Sequence, residues 1–329
     1  MSRLDRIQGR AAVAASVIPE SQEYRSLEVD ADSLIYKVAA TTKGLETAKR
    51  RFVSEALTLH FLAGATLSNL HLTPKHCKKA NRFNIIAVQK YQGNRDPKLD
   101  KDGNEIPSNK PELVEPLRYV VGRGQLELPP EFSIVFNDTY EADDSVVMAC
   151  HADPDAVFYS EDKDLDCLGN RKLCQHTKLV LPPVEGLGWL AIKELANSKK
   201  VVGRGPVFFW AQMLMGDQAD HIKGITKANG KNCGAVATFA LLHKFLTPQS
   251  DSQTPHPVTA TTTEYDIAKF VLTLYKENGQ NPWSEAWLLW LYRTEAYSFY
   301  AHVALLGLMN DPDIGDWLKQ QAKLDWFRK

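Results

Sequence analysis

Between residues 26 and 181 short apolar runs alternate with amphipathic segments, and carboxylates repeatedly stand where a run gives way to a segment. The runs SLEVD (26–30), TLSNLHLT (66–73), FSIVFN (132–137), DAVFYS (155–160) and TKLVL (177–181) have the length and residue types of five strands. Between them, Leu34, Ile35 and Val38 share one helical face, and Phe52, Ala56 and Leu59 share another in a helix stopped by Gly64. Strand and helix in alternation predict an α/β fold with a largely parallel central sheet flanked by helices. Such a sheet gathers the C-terminal ends of its strands along one edge, where open α/β folds build their sites.

The acids fall at that edge. Asp30 closes the first run; Glu141, Asp143 and Asp144 follow the third and open a helix; Asp162 and Asp164 follow the fourth. A further pair, Asp217 and Asp220, is spaced i and i+3, so both carboxylates point to one side of a turn or helix start. Each group alone has a plain structural reading, since Glu141 to Asp144 can cap a helix for about 0.3–1 kcal/mol apiece and the others can be solvated turns. Independent capping does not explain their joint placement. Two unit charges about 4 Å apart repel by about 4 kcal/mol at an effective dielectric of about 20, so converging carboxylates call for cations. Eight carboxylates exceed what one structural ion needs, and hard oxygen ligands suit Mg2+ or Mn2+. Two such ions about 4 Å apart serve in-line displacement at a phosphodiester, a chemistry that requires no protein nucleophile. The chain has no G-x-S-x-G elbow and no Walker A sequence.

Composition narrows the class. The net charge of -1 argues against a simple basic-patch nucleic-acid binder, but it conceals a segregation of sign. Residues 71–101 carry eight lysines and arginines against Asp96 and Asp100, whereas residues 131–170 carry eleven carboxylates against Lys163 alone. The first stretch suits a polyanion and the second divalent metal. Five cysteines without a C-x-x-C pair disfavour a disulfide framework and a zinc site, and point to a reducing cytoplasm. Arg3, Arg6 and Arg10 precede an apolar stretch that ends at Pro19, too short for an export signal, and no run is long enough to span a bilayer. No membrane partner is expected.

In order and spacing, LEVDADSLIYKVA, KYQGNRD, YEADDSVV, YSEDKDLDCL and MGDQADHIKGI followed by NGKNCGA resemble the bacteriophage 5′ nucleases of the flap endonuclease superfamily over roughly residues 27–245. The resemblance implies a PIN-like core that binds two divalent ions (Mg2+ or Mn2+) and hydrolyses DNA, and RNA in RNA/DNA hybrids, from a 5′ end or at a flap. For a phage-encoded protein the compartment would be the host cytoplasm. Carried over by position, Asp30, Glu141, Asp143, Asp144, Asp162 and Asp164 would be catalytic metal ligands, and Asp217 and Asp220 would complete a second site. IKGITKANGKNCGAVATFALL is similar to the family's helix-hairpin-helix, with Gly224 and Gly230 permitting the hairpin and Lys231 and Gly234 facing a duplex phosphate. Arg82, Lys90 and Arg95 would grip DNA beside an arch over residues 96–118. The sequence departs from the family pattern at Thr73, where an acid is usual, at Gln92, where a lysine is usual, and after Asp220, where HIKG replaces NIPG but keeps Gly224.

The implied organisation is a lead-in (1–25), a nuclease core (26–215), a helix-hairpin-helix region (216–246), a linker or surface loop (247–264) and a helical C-terminal extension (265–329). Trp283, Trp287 and Trp290, at i, i+4 and i+7, read as core rather than a base-stacking surface. The departures at Thr73 and Gln92 motivate an alternative, a DNA-structure-binding homologue with weak or lost catalysis. A PIN-type RNase is a third reading, disfavoured by the hairpin element.

Overall fold

Alternation decides the first strand. In SLEVD, Leu27 and Val29 project to one face and Glu28 and Asp30 to the other, a period of two that places apolar side chains on a helix-covered face. The computed structural model describes residues 25–96, 101, 110–174, 176–242, 245, 256–257 and 262–324, so the lead-in, most of the expected arch before residue 110, most of the 247–264 segment and the last five residues lie outside the described residues. The described chain divides into two compact units: one draws on Met1–Cys77, Asn109–Lys163 and Asn170–Pro183, the other on Lys78–Ser108, Asp164–Gly169 and Val184–Lys329.

The first unit holds a six-stranded sheet. Its strands are β1 (Ser26–Asp30), β2 (Leu67–Leu72), β3 (Phe132–Phe136), β4 (Val157–Tyr159), β5 (Arg171–Leu173) and β6 (Val180–Leu181), in the order β3-β2-β1-β4-β5-β6. The first five pair in parallel and β6 is antiparallel to β5. The fifth strand therefore differs from expectation. RKL (171–173) supplies it, and only the end of TKLVL pairs, as the return arm of a short antiparallel excursion. RKL was missed because three residues with two cations carry no legible period. Leu27, Val29, Leu70, Leu72, Val157 and Tyr159 pack into one core with α1 (Ala31–Ala40), α2 (Leu45–Ala63) and α3 (Val114–Gly122). On the other face α4 (Ala142–Ala152) lies over β1, β2 and β4. Helix α2 stops at Gly64, whose φ of 61° and amide bonds to the carbonyls of His60 and Phe61 form a left-handed C-cap.

The second unit contains an antiparallel hairpin, β7 (Trp189–Leu195) with β8 (Ser198–Arg204), extended by β9 (His256–Pro257). No strand was expected there, because the hairpin's charged outer arms mask its apolar half. Helices α5 (Pro206–Met215), α6 (Ala235–Leu242), α7 (Glu264–Glu277), α8 (Pro282–Leu289), α9 (Phe299–Leu305) and α10 (Gly315–Ala322) complete it. Trp283 and Trp290 are buried among Phe209, Phe299 and their neighbours as their spacing indicates, whereas Trp287 between them is half-buried. Among the described residues no helix is long and apolar enough to cross a membrane.

Candidate functional site

The order of the parallel strands creates a switch point. The chain steps outward from β1 to β2 to β3 and then returns to the far side of β1 as β4, so the strand order reverses between β1 and β4, the position where open α/β sheets place their sites. Asp30 ends β1 at that point and Ser160 follows β4. The Ser160 hydroxyl donates to Asp30 Oδ2 at 2.7 Å and accepts from the Asp162 amide at 2.9 Å. Asp30 Oδ1 caps α1 by accepting from the Ser33 amide at 3.2 Å. Asp30 is buried, and loss of hydration, followed by the charge of Asp32, pushes its carboxyl up to about 7; Asp162 adds to the rise, and the bonds from Ser160 and Ser33 oppose it. Such a group takes a cation readily in exchange for its proton.

The connection after β3 brings the second set of acids. Glu141 is the N-cap of α4 and Asp144 its third residue; they form a capping box in which Asp144 Oδ2 accepts from the Glu141 amide at 3.2 Å. Glu141, Asp143 and Asp144 each offer an oxygen within 4.8 Å of the others, and Asp144 is completely buried. The start of this helix is fixed from beneath. Glu28 accepts on Oε2 from His71 Nε2 at 2.7 Å, and His71 Nδ1 lies 2.7 Å from the hydroxyl of Ser145, the residue after Asp144. Asn69 also donates to Glu28 at 3.0 Å. The Thr73 hydroxyl accepts from the Ala142 amide at 2.9 Å, so the residue that replaces an expected acid caps the acidic helix instead. Glu28, His71 and Ser160 were not singled out from sequence. The available signal was period-two alternation, which places Glu28 on the same face as Asp30.

In the second unit Asp164, Asp217 and Asp220 form another group of three, again with ligand atoms within 4.8 Å of one another. Asp164 belongs to the short 3-10 turn Lys163–Cys167 and accepts from the Gln212 side chain of α5 at 2.6 Å. Asp217 and Asp220 lie on a loop closed by the backbone pair Asp217 and Ile222, and Asp217 is buried and accepts from the Ala219 amide at 2.8 Å. Asp220 Oδ1 accepts from the Gln92 side-chain amide at 3.1 Å and from the Arg95 guanidinium. The neutral amide that replaces an expected lysine thus orients a carboxylate.

Of the expected sites, Asp30 and Asp162 are linked through Ser160 but belong to neither group of three. Two DNA contacts are corrected. Arg82 is 1% exposed and its guanidinium donates to the Trp290 carbonyl at 2.9 Å, so it presents no charge to a phosphate. Gly224 is buried, and its amide donates to the Glu285 carboxylate at 3.1 Å rather than to a ligand. Lys90 is exposed and pairs with Asp96 at 2.7 Å. Gly230, Lys231 and Gly234 are exposed; Gly230 has a φ of 74° in a tight turn bridged from Ala228 to Lys231, and α6 begins immediately after Gly234. Between α5 and α6 the chain is loop and turn.

Fold and residues together define a class: a parallel α/β protein whose strand-end and loop carboxylates offer all-oxygen sites suited to hard divalent cations. No family model matches the chain, and no curated protein sequence does. Among solved structures it is similar to a bacteriophage T5 flap endonuclease in a pseudo-enzyme–product complex with DNA and metal ions, at 14% identity and a TM-score of 0.48, over 91% of this chain and 98% of that one. It is also similar to a variant of the T5 5′-exonuclease, at 14% identity and a TM-score of 0.43, over 92% and 99%. The catalytic core of Rad2 in complex with DNA substrate is similar at 12% identity and a TM-score of 0.33, over 71% and 66%. What this chain does is carried by its own residues.

Proposed function

We propose that the protein is a divalent-metal-dependent nuclease that hydrolyses phosphodiesters of DNA, and of RNA in RNA/DNA hybrids, as a 5′→3′ exonuclease or flap endonuclease using two Mg2+ or Mn2+ ions. The observation that carries this reading is the pair of three-carboxylate groups, each with its oxygens within 4.8 Å. Carboxylates so close repel strongly unless a cation or proton stands among them. When bound, the ions supply Lewis-acid stabilisation of charge on the oxygens made and broken in an in-line displacement.

The chain's residues position that chemistry. Glu141 and Asp144 are held by the capping box, Asp143 Oδ1 accepts from the Asp144 amide at 2.8 Å, and Thr73 and the Glu28–His71–Ser145 chain fix the backbone beneath them, an arrangement that would present ordered carboxylates to an ion. Asp162 and Asp164 stand two residues apart in the sequence after β4, and Asp164 belongs to the group with Asp217 and Asp220. Burial pushes the Asp30 carboxyl up to about 7, so a cation held beside it would take the place of a proton. Lys231, exposed in the turn before α6, would supply positive charge for phosphate oxygens, while Arg95 is engaged by Asp220.

The test incubates 5′-labelled flap, blunt duplex and RNA/DNA hybrid with the purified protein, in Mg2+ and in chelator. Cleavage in Mg2+ that chelator abolishes, and that Asp162→Asn lowers at least ~10-fold, is the expected result. Tight binding without cleavage would favour the second reading, a DNA-structure binder with weak or lost catalysis. That reading draws on Thr73 and Gln92, whose side chains are engaged as a helix cap and as a neutral donor to Asp220.

A further inference from the structure

Residues 78–96 invert the usual distribution of side chains. Arg82 is 1% exposed while its neighbour Phe83 is 44% exposed, and Ile86 and Val88 are 48% and 49% exposed around the buried Ile85. A loop free to choose would do the reverse, because a buried guanidinium loses hydration and three exposed apolar side chains gain nothing. The arrangement is enforced. Arg82 is tied to the Trp290 carbonyl, the Ala80 carbonyl accepts from the Trp287 indole at 2.9 Å, and the Val88 amide donates to the buried Glu285 at 2.9 Å. Lys79, Ala80 and Asn81 are held consecutively at φ values of 50°, 48° and 62°, a left-handed run that costs roughly 1–3 kcal/mol per residue. Strain and burial are thus spent on keeping Phe83, Ile86 and Val88 outside.

The surroundings specify what would cover them. Lys79 Nζ lies 5.5 Å from the Phe83 ring centroid and Lys78 is exposed in the same segment, whereas Lys90 is paired with Asp96 and Arg95 with Asp220. An aromatic face with cations at its rim matches a base with its flanking phosphates. On its inner side Phe83 meets Tyr91 edge to face at 5.4 Å, and the Tyr91 hydroxyl accepts from Gln92, which in turn holds Asp220. The ridge therefore leads directly to the carboxylate group Asp164, Asp217 and Asp220.

We propose that Phe83, supported by Ile86 and Val88, is a platform on which an unpaired base of the nucleic-acid substrate stacks, with Lys79 on an adjoining phosphate. The inference rests on the nuclease reading and adds the element that engages single-stranded substrate. It is tested by fluorescence anisotropy in Ca2+ with a 5′-flap DNA, a flapless duplex, and flaps carrying one abasic nucleotide at successive positions. Phe83→Ala is expected to weaken flap binding about 5- to 150-fold and to leave the duplex unchanged, and Phe83→Trp to restore the flap. One abasic position should weaken wild-type binding by a similar factor and have no further effect on Phe83→Ala. Wild-type cleavage in Mg2+ combined with unchanged flap affinity of Phe83→Ala would overturn the platform and leave the nuclease standing. Unchanged flap affinity with a shift in sedimentation would show a self-association surface and overturn it equally. A wild-type protein that neither binds nor cleaves the flap would overturn both readings.

Discussion

Removing the charge at Asp30 should stabilise the metal-free protein at neutral pH. The carboxyl is 4% exposed and titrates at about 7 against an ordinary value of 3.8. A folded-state value raised above the unfolded one means that the group's contribution is fully present below about pH 4 and is lost as pH rises through 7. Three pH units correspond to about 4 kcal/mol, so in chelator the wild type should lose stability of that order between pH 4 and pH 8 through this group alone. Asp30→Asn keeps an oxygen for the Ser33 amide, and its new amide can donate to a rotated Ser160 hydroxyl, so the local bonds survive. Urea unfolding across that pH range in chelator should give a wild-type curve that falls while the Asp30→Asn curve stays flatter, with the variant more stable above pH 7. Added Mg2+ should reverse the order at pH 7.5, and below pH 7 cation binding should release protons from this carboxyl. Parallel pH curves for the two proteins, with no differential response to Mg2+, would refute the account of Asp30 as a buried, cation-responsive acid.

Other consequences follow from buried groups. Arg82→Ala should cost about 2–5 kcal/mol in urea unfolding, through the cavity and the orphaned Trp290 carbonyl, yet leave the salt dependence of DNA binding unchanged because Arg82 meets no phosphate. Gly224→Ala should destabilise by roughly 2 kcal/mol or more, since φ is +65° and an added Cβ would stand 2.5 Å from the Gly216 nitrogen; a change below about 0.5 kcal/mol in thermal unfolding would contradict this. Burial alone raises the Asp311 carboxyl, but Lys269, Tyr265 and the amides of Asp313 and Ile314 outweigh it and hold it well below the usual carboxylate range. Stability from Asp311 is thus present above about pH 4 and lost as pH falls through its depressed value, so Asp311→Asn should flatten the acid limb of a pH–stability profile.

How much was legible can be seen residue by residue. The boundary positions of Asp30, Glu141, Asp143 and Asp144 were legible because capping signals are local: Asp30 ends β1 and caps the helix after it, and Glu141 caps α4 with Asp143 and Asp144 in its first turn. Alternation made parallel pairing the expectation, since parallel strands need a crossover connection that is usually a helix. Glu28 and His71 escaped notice because a lone charge inside a strand acquires meaning only when its partner lies opposite on the neighbouring strand. Arg82 was misread for a related reason. In sequence it is one cation among eight in a basic stretch, and nothing local says that the Trp290 carbonyl, 208 residues away, waits for its guanidinium.

The sequence by itself determined the alternation of elements, the strand ends that bear acids and the placement of Trp283 and Trp290 in core, because those properties depend on periods of two and 3.6 and on caps spanning a few residues. Tertiary structure alone decided which acids share a cation-sized space, that Asp164 joins Asp217 and Asp220, and which basic residues face solvent. Burial and charge proximity are sums over groups far apart along the chain, and only the folded molecule sets the distances on which both depend.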